Sequence, residues 1–445
     1  MRRNTLIIVI LVIAALAVAA LLVIRLEWRP PVIAAAPGAR YIAARTEFAV
    51  SVEDSASGLA EVSVSLVQKG SAKEIYRKAF PSGDWLGRSA ERRHDVKVVI
   101  EPKALGLEQG DAVVTVAARD RSWWSFGGNE TRSELKVTVD TIPPAIVLPG
   151  GIHNIAPGGT GVAVYRVSED GPSGVRVGEA FFPGYPEPAK GANARVAFFA
   201  VPIDAGPGTR VRVTAADAAG NASQASVTVN LVARKYRADG IELSDRFLEE
   251  KIPEFRAADP GLDADPVRAF LTVNRDWRAR DHGKIAQLAA KGAAERLWSG
   301  PFLQMKNTQT MARFADVRTY RHRGEDIDRQ THLGLDVAST AGAPVEAGNA
   351  GVVILAGDLG IYGTTVVLDH GQGVFSLYAH LSNIAVKEGE RVARGQAVGN
   401  SGRSGMAGGD HLHFSVLVGG VFVNPVEWLD GHWIEDNVTK ELNSF

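Results

Sequence analysis

Cysteine is absent from all 445 residues, which excludes disulfide staples and thiolate metal ligands. The absence is compatible with an oxidising compartment without requiring one. An excess of charge of one sign is also lacking: 49 Lys and Arg against 50 Asp and Glu leave a formal net charge of -1. No global field therefore draws the chain to nucleic acid or anionic lipid, and no nucleic-acid partner is expected. The helix-borne zinc signature H-E-x-x-H does not occur. A metal site whose general base is that glutamate is thus set aside, and any proton transfer must come from other side chains.

What the chain does contain is His332 and Asp336 in THLGLD, followed far downstream by His411-Leu412-His413. Zinc takes a tetrahedral shell of imidazoles and carboxylates, and a hydrolytic site keeps one corner for water. Two histidines and one aspartate fill three corners and leave a histidine to spare; the pKa of the fourth-corner water falls from about 15.7 to near 7. His411 and His413 lie in HLHFSVLV, a β-forming run. Both imidazoles should leave the same face of a strand, one binding metal and the other reaching the water. On a straight strand His332 and Asp336 would stand about 13 Å apart, too far for ligands that approach to about 2 Å. Gly334 between them allows a bend.

From Phe314 to Trp433 the chain resembles the lysostaphin-type (LytM) zinc endopeptidases of bacterial cell walls. The resemblance runs in order through H-L-G-L-D, Y-A-H-L, V-x-x-G-Q-x-V-G-x-S-G and H-L-H-F. It implies a Zn2+ ion bound by His332, Asp336 and His413, with His380 and His411 acting on the water and the tetrahedral intermediate. A histidine suits that work because its unperturbed pKa of about 6.5 lies near working pH. Gly408-Gly409-Asp410 departs from the Gly-Pro-His approach common in the family, and Asp410 is expected to end a loop. His370, in LDHG, is expected to pack or hydrogen-bond in a turn, and His94, His153, His282, His322 and His432 to be ordinary surface or structural residues. VKEGERVARGQAVGNSG also has the glycine-marked turns of a lipoyl or biotinyl carrier, but Lys387 lacks the flanking methionines of a biotinylation site.

Before this region, Leu6 to Ile24 is an uninterrupted apolar run flanked by Arg2, Arg3 and Arg25. About 20 residues span a bilayer, whereas a cleaved signal has an apolar core of roughly 7 to 15. A retained single-pass anchor is expected over residues 1–29, in the inner (cytoplasmic) membrane, with the rest of the chain in the periplasm or extracytoplasmic space. An internal repeat follows. Asp54-Ser55-Ala56-Ser57-Gly58-Leu59 is matched by Asp170-Gly171-Pro172-Ser173-Gly174-Val175, and TVAARD with Gly128-Asn129 is matched by VTAADAAGNASQASVTV. Short alternating strands with Gly, Asn and Asp turns predict two immunoglobulin-like β-sandwiches, over 40–142 and 143–233, with Thr141-Ile142-Pro143-Pro144 as the stiff boundary. Trp123-Trp124 on a glycine-rich loop can stack on sugar, seat a neighbouring domain, or plug the end of its own sandwich.

Residues 234–300 turn toward helix. Ser244 is a candidate N-cap, Asp265-Pro266 places a cap before a first-turn proline, and a further helix is expected from Lys284 to Leu297. Asn307 or Gln309 offers a segment that would cover the metal, and the peptidase domain is expected over 301–445. The expected protein is mainly β and multidomain: an N-terminal transmembrane helix, two sandwiches, a small helical connector and a C-terminal LytM-type β-sheet peptidase. The resemblance implies hydrolysis of peptidoglycan peptides, with a D,D-endopeptidase as the simplest case. The alternative is a LytM-fold regulator that activates a separate amidase; such proteins characteristically lack the zinc ligands, and this chain keeps them.

Overall fold

A computed structural model describes residues 2–35, 40–83, 89–124 and 127–443. Tight packing divides the chain into two units, the first Met1–Pro143 with Ala216–Asn221, the second Pro144–Ala215 with Ala222–Phe445. The division at Pro143-Pro144 falls on the expected stiff boundary.

The first unit begins with a helix over Arg2–Arg25. Its stretch Thr5–Val23 is long and apolar enough to cross a membrane. A β-sandwich follows. A three-stranded sheet (Val32–Ala35, Thr46–Glu53, Arg93–Ile100) faces a five-stranded sheet (Tyr41–Ile42, Glu130–Val139, Gly110–Asp120, Leu59–Gln68, Ser71–Ala79). Alternation along the strands does the work: Val50 and Val52 from one sheet meet Val62, Val64, Val114 and Val116 from the other in a single core.

In the second unit, two four-stranded sheets carry the second repeat. The strand Ala194–Ala200 is buried at every position, without alternation. Phe198 shows why. It packs on Trp298 and Trp428, with ring centroids 5.8 and 6.1 Å away, and the indole of Trp428 donates to Thr160 Oγ1 at 3.2 Å. Both faces of the strand are therefore covered, and the core of this repeat runs on into that of the C-terminal domain.

The connector forms as its caps predict. Ser244 accepts from Phe247 N at 3.1 Å at the start of Asp245–Ala258, and Asp265 accepts from Arg268 N at 2.9 Å ahead of Pro266–Thr272. The helix expected over Lys284–Leu297 instead spans Arg278–Ala289. Beyond it the chain crosses Phe375, where a Cβ on Gly292 would meet the ring at 2.7 Å. The amides of Ala293 and Leu297 then donate to Asp369 Oδ2 and the His370 carbonyl, so tertiary partners replace helical ones.

The C-terminal domain is built on an antiparallel sheet in the order Gln309–Ala312, Leu335–Ala338, Leu412–Val418, Val374–Ala379, Thr364–Asp369, Gly351–Asp358, Arg391–Val392. Val421–Val423 also pairs with Leu412–Val418. One face, with Val337, Phe414, Val416 and Val418, joins the core shared with the second repeat. The other, with Phe375, Leu377, Ala379 and Leu417, packs on Leu248, Ile252, Phe270 and Trp277 of the connector.

Candidate metal centre

Asp336 and His413 stand directly opposite each other on neighbouring antiparallel strands. Alternation turns both away from Leu335, Val337, Leu412 and Phe414, which belong to the core shared with the second repeat, so both look toward the connector side. Opposed residues in such a pair bring Cβ atoms to about 5 Å, close enough to share one ion. His332 reaches them because strand structure breaks between Thr331 and Leu335. The expected bend at Gly334 is there, for a different reason. Gly334 has no left-handed φ; a Cβ on it would lie 2.5 Å from His413 Cε1 and Nε2 and 2.7 Å from Ser415 Oγ. Close approach of the histidine ring requires the glycine.

The three ligand atoms form a tight triangle. His332 Nε2 lies 2.9 Å from Asp336 Oδ1 and 3.0 Å from His413 Nδ1, and His413 Nδ1 lies 2.7 Å from Asp336 Oδ1. Hydrogen bonds behind them fix which atoms carry protons. His332 Nδ1–H donates to the Arg313 carbonyl at 2.8 Å. Ser415 Oγ–H donates to the Leu333 carbonyl at 2.9 Å, which leaves Oγ to accept from His413 Nε2–H at 3.0 Å. Lone pairs on His332 Nε2 and His413 Nδ1 therefore converge on a carboxylate oxygen. Three acceptors at this spacing repel unless a cation or proton lies among them, and His332, Asp336 and His413 are only 5, 6 and 5 % exposed, so water cannot screen them. A buried set of two imidazoles and one carboxylate, each imidazole anchored from behind, fits zinc. Tetrahedral bonds of about 2.0 Å would space the ligand atoms by about 3.3 Å, a small opening of this triangle.

Arg318 completes the arrangement. Its Nη2 donates to Asp336 Oδ2 at 2.8 Å, leaving Oδ1 to face the two imidazoles as the candidate ligand atom. Burial alone would raise the Asp336 carboxyl, but the imidazoles of His332 and His413 outweigh it and hold it well below the usual carboxylate range. Burial pushes His413 down to about 4, so it stays neutral and able to ligate.

His380 and His411 stand beside this triad. His380 follows the strand Val374–Ala379 with φ 62°, and its ring centroid lies 4.9 Å from His411 and 5.8 Å from His413. Its Nδ1–H donates to the Ser404 carbonyl at 2.9 Å, and His411 Nδ1–H donates to the Gly409 carbonyl at 2.8 Å. Each ring thus keeps Nε2 as its proton-accepting atom; that of His411 is 3.8 Å from Asp336 Oδ1. Burial, and then the neighbouring His411 and His413, push His380 well below its ordinary value, so it is neutral at neutral pH. His411 precedes the strand Leu412–Val418 and joins the sheet region through one bridge to Gly402.

The structure brings all five sequence-derived residues together. Asp410 accepts from Gly342 N and Ser401 Oγ, holding a loop and not His411. His370 is buried between the Ala350 carbonyl and Ser376 Oγ. Gln309 lies on the strand beside that of Asp336, paired with Ala338. His282 is closer to the site than sequence suggested: its Nε2 is 2.9 Å from the Tyr362 hydroxyl, whose ring packs 5.5 Å from His413. Residues missed from sequence are Arg318, Ser415, Ser404 and Lys251. Lys251 Nζ, buried on a connector helix, donates to the Arg403 carbonyl at 2.6 Å, beside the Ser404 carbonyl that orients His380. No spacing pattern announces Arg318, Ser404 and Lys251, because each acts through a hydrogen bond between distant segments, whereas Ser415 lies two residues from His413 on the same strand.

Residues 330–425 match Peptidase family M23. The peptidoglycan DD-endopeptidase ShyA of Vibrio cholerae is 41% identical over 96 residues, 22% of this chain and 22% of the relative. The murein hydrolase activator EnvC of Escherichia coli is 30% identical over 221 residues, 46% of this chain and 52% of the relative. The matched segment thus spans about a fifth to a half of the length of these curated relatives. A putative peptidase M23 from Pseudomonas aeruginosa aligns over 62% of this chain and 94% of its own, at 25% identity and a TM-score of 0.37. With the histidine and aspartate set and the sheet that carries it, the C-terminal domain of this chain is a peptidase family M23 domain of the LytM type.

Proposed function

We propose that the chain is a membrane-anchored, exported zinc metalloendopeptidase that hydrolyses peptide cross-links of peptidoglycan, with D,D-endopeptidase specificity. The observation that carries the reading is the convergence of His332, Asp336 and His413 on one point with His380 and His411 alongside. His332, Asp336 and His413 would hold the zinc, which when bound supplies Lewis acidity and lowers the pKa of a water. The unprotonated Nε2 of His380 or His411 takes a proton from the attacking water and returns it to the leaving amine, and the second imidazole can hydrogen-bond the oxyanion only in the form that carries a proton on Nε2 as well. Arg318 keeps the Asp336 carboxylate to one ligand oxygen.

The relative named as a murein hydrolase activator supports a second reading, in which the domain binds and activates a separate amidase. Retention of all three ligands with their proton-fixing partners favours the enzyme. Muropeptide analysis of purified sacculi treated with residues 30–445 tests both: loss of cross-linked dimers and appearance of monomers is expected. Turnover only when an amidase is added would replace the enzyme with the activator. For the anchor, a reporter fused after Phe445 should work only in the periplasm, with full-length protein in the membrane fraction. A soluble, N-terminally trimmed species would replace the anchor with a signal peptide.

A further inference from the structure

We infer that the Trp123-Trp124 loop of the first sandwich is a membrane-docking element, seated in the interface of the bilayer that the Arg2–Arg25 helix crosses. The inference rests on reading that helix as an anchor. Both indoles are far from buried, at 46 and 55 % exposure, and neither belongs to the core of its sandwich, so they do not plug its end. Their position is fixed by main-chain bonds to the first residues after the apolar span. Trp123 N donates to the Arg25 carbonyl at 2.7 Å, Ser122 Oγ to the Glu27 carbonyl at 2.5 Å, and Asn129 Nδ2 to the same Glu27 carbonyl at 2.9 Å.

The apolar span ends at Val23. At 1.5 Å per residue, Arg25 lies about 3 Å beyond the hydrocarbon edge, and an interfacial layer extends roughly 5–7 Å on each side of a bilayer core. A loop hydrogen-bonded to the Arg25 carbonyl cannot leave that layer while the helix spans. Its chemistry suits the place. Tryptophan concentrates at this level because the ring is apolar and its N–H polar. The Arg25 guanidinium lies 4.4 Å from the Trp123 ring centroid. The two indoles and Leu26 line an open cleft of about 840 Å³ together with Arg119, Arg121 and the buried Arg25, and with Asp120 and Glu61, the last paired with Arg119 at 3.1 Å. The anchor would then hold the first sandwich against the bilayer instead of leaving it on a free tether.

The test uses full-length protein in vesicles of phosphatidylethanolamine and phosphatidylglycerol bearing acyl chains brominated near the headgroup. Trp28, itself 70 % exposed beside the span, is first replaced in a W28F background. Bromolipid should quench tryptophan emission in that background, and adding W123F/W124F should reduce the quenchable emission to about a third or less, since interfacial indoles lie at bromine depth. Unchanged thermal unfolding would show that the fold is kept. If the protein floats with vesicles and resists carbonate extraction, yet the double variant changes nothing, the docking inference is overturned while the anchor stands. If carbonate releases the protein, the anchor reading fails and takes the inference with it. Perturbation of the same emission by soluble glycan chains, without bromolipid quenching, would overturn it in favour of sugar binding.

Discussion

The two faces of the sheet that carries the candidate metal centre are built from the same strands and do opposite work. On the face turned to the second repeat, Phe414, Val416 and Val418 meet Phe198 and Trp428 in a dry core. On the connector face the same strand presents His413 and Ser415, and its neighbour presents Asp336. Apolar packing tolerates exchange of shape at modest cost. A buried polar network does not, since every donor and acceptor must be matched. The first face therefore sets stability, and the second carries the candidate site at the expense of stability unless a cation completes it.

The largest expected break in that comparison is on the polar face. His332→Ala, Asp336→Ala and His413→Ala should each lose or greatly weaken zinc binding and abolish hydrolysis, while circular dichroism retains the β signal. Elemental analysis checks this, and unchanged zinc in all three would remove the ligand assignment. His380→Ala and His411→Ala should keep stoichiometric zinc and lose activity by about 10² to 10⁴, the usual contribution of general acid–base catalysis. Metal loss in either, as complete as in His413→Ala, would merge the two roles.

Arg318→Met should weaken zinc by roughly 10- to 100-fold, the usual cost of removing a partner that orients a ligand. Arg318→Lys should recover part of it, measured by competition with a chromophoric chelator. The dry face should behave in the opposite sense. Trp428→Ala should destabilise the second unit by about 3–5 kcal/mol, as large aromatic truncations do, with zinc affinity per folded molecule unchanged. A matching fall in metal affinity would mean that the two faces are coupled through the strand.

The smallest effect is a pH dependence on the dry side. Burial raises Glu427, which accepts from Thr160 N at 2.9 Å, to about 7 from an ordinary value of 4.5. A carboxyl raised on folding contributes stability that is complete below about 4.5 and lost as pH rises through about 7. The unfolding temperature of residues 144–445 should fall between pH 5 and pH 8, and Glu427→Gln should flatten that fall. An unaltered slope in the variant would assign the dependence to other groups.

The candidate ligand types and their order were legible along the chain, because zinc chemistry restricts ligands to a few side chains and H-x-x-x-D with H-x-H is a sparse pattern. Caps at Ser244 and Asp265 were legible for the same reason: capping is local, and the deciding atoms lie within three residues. The packing division falls at Pro143-Pro144, where consecutive prolines act on their own backbone. Only tertiary structure decided the rest. It ended the third connector helix at Ala289, where amides found partners near Asp369 and His370. It joined the core of the second repeat to the peptidase through Phe198 and Trp428. It also fixed the proton positions on His332, His413 and His380 through Arg313, Ser415 and Ser404. Apart from Ser415, which is two residues from His413, those contacts are long-range in the chain and short-range in space. A hydrogen bond has reach only in space, so no pattern along the sequence could announce them.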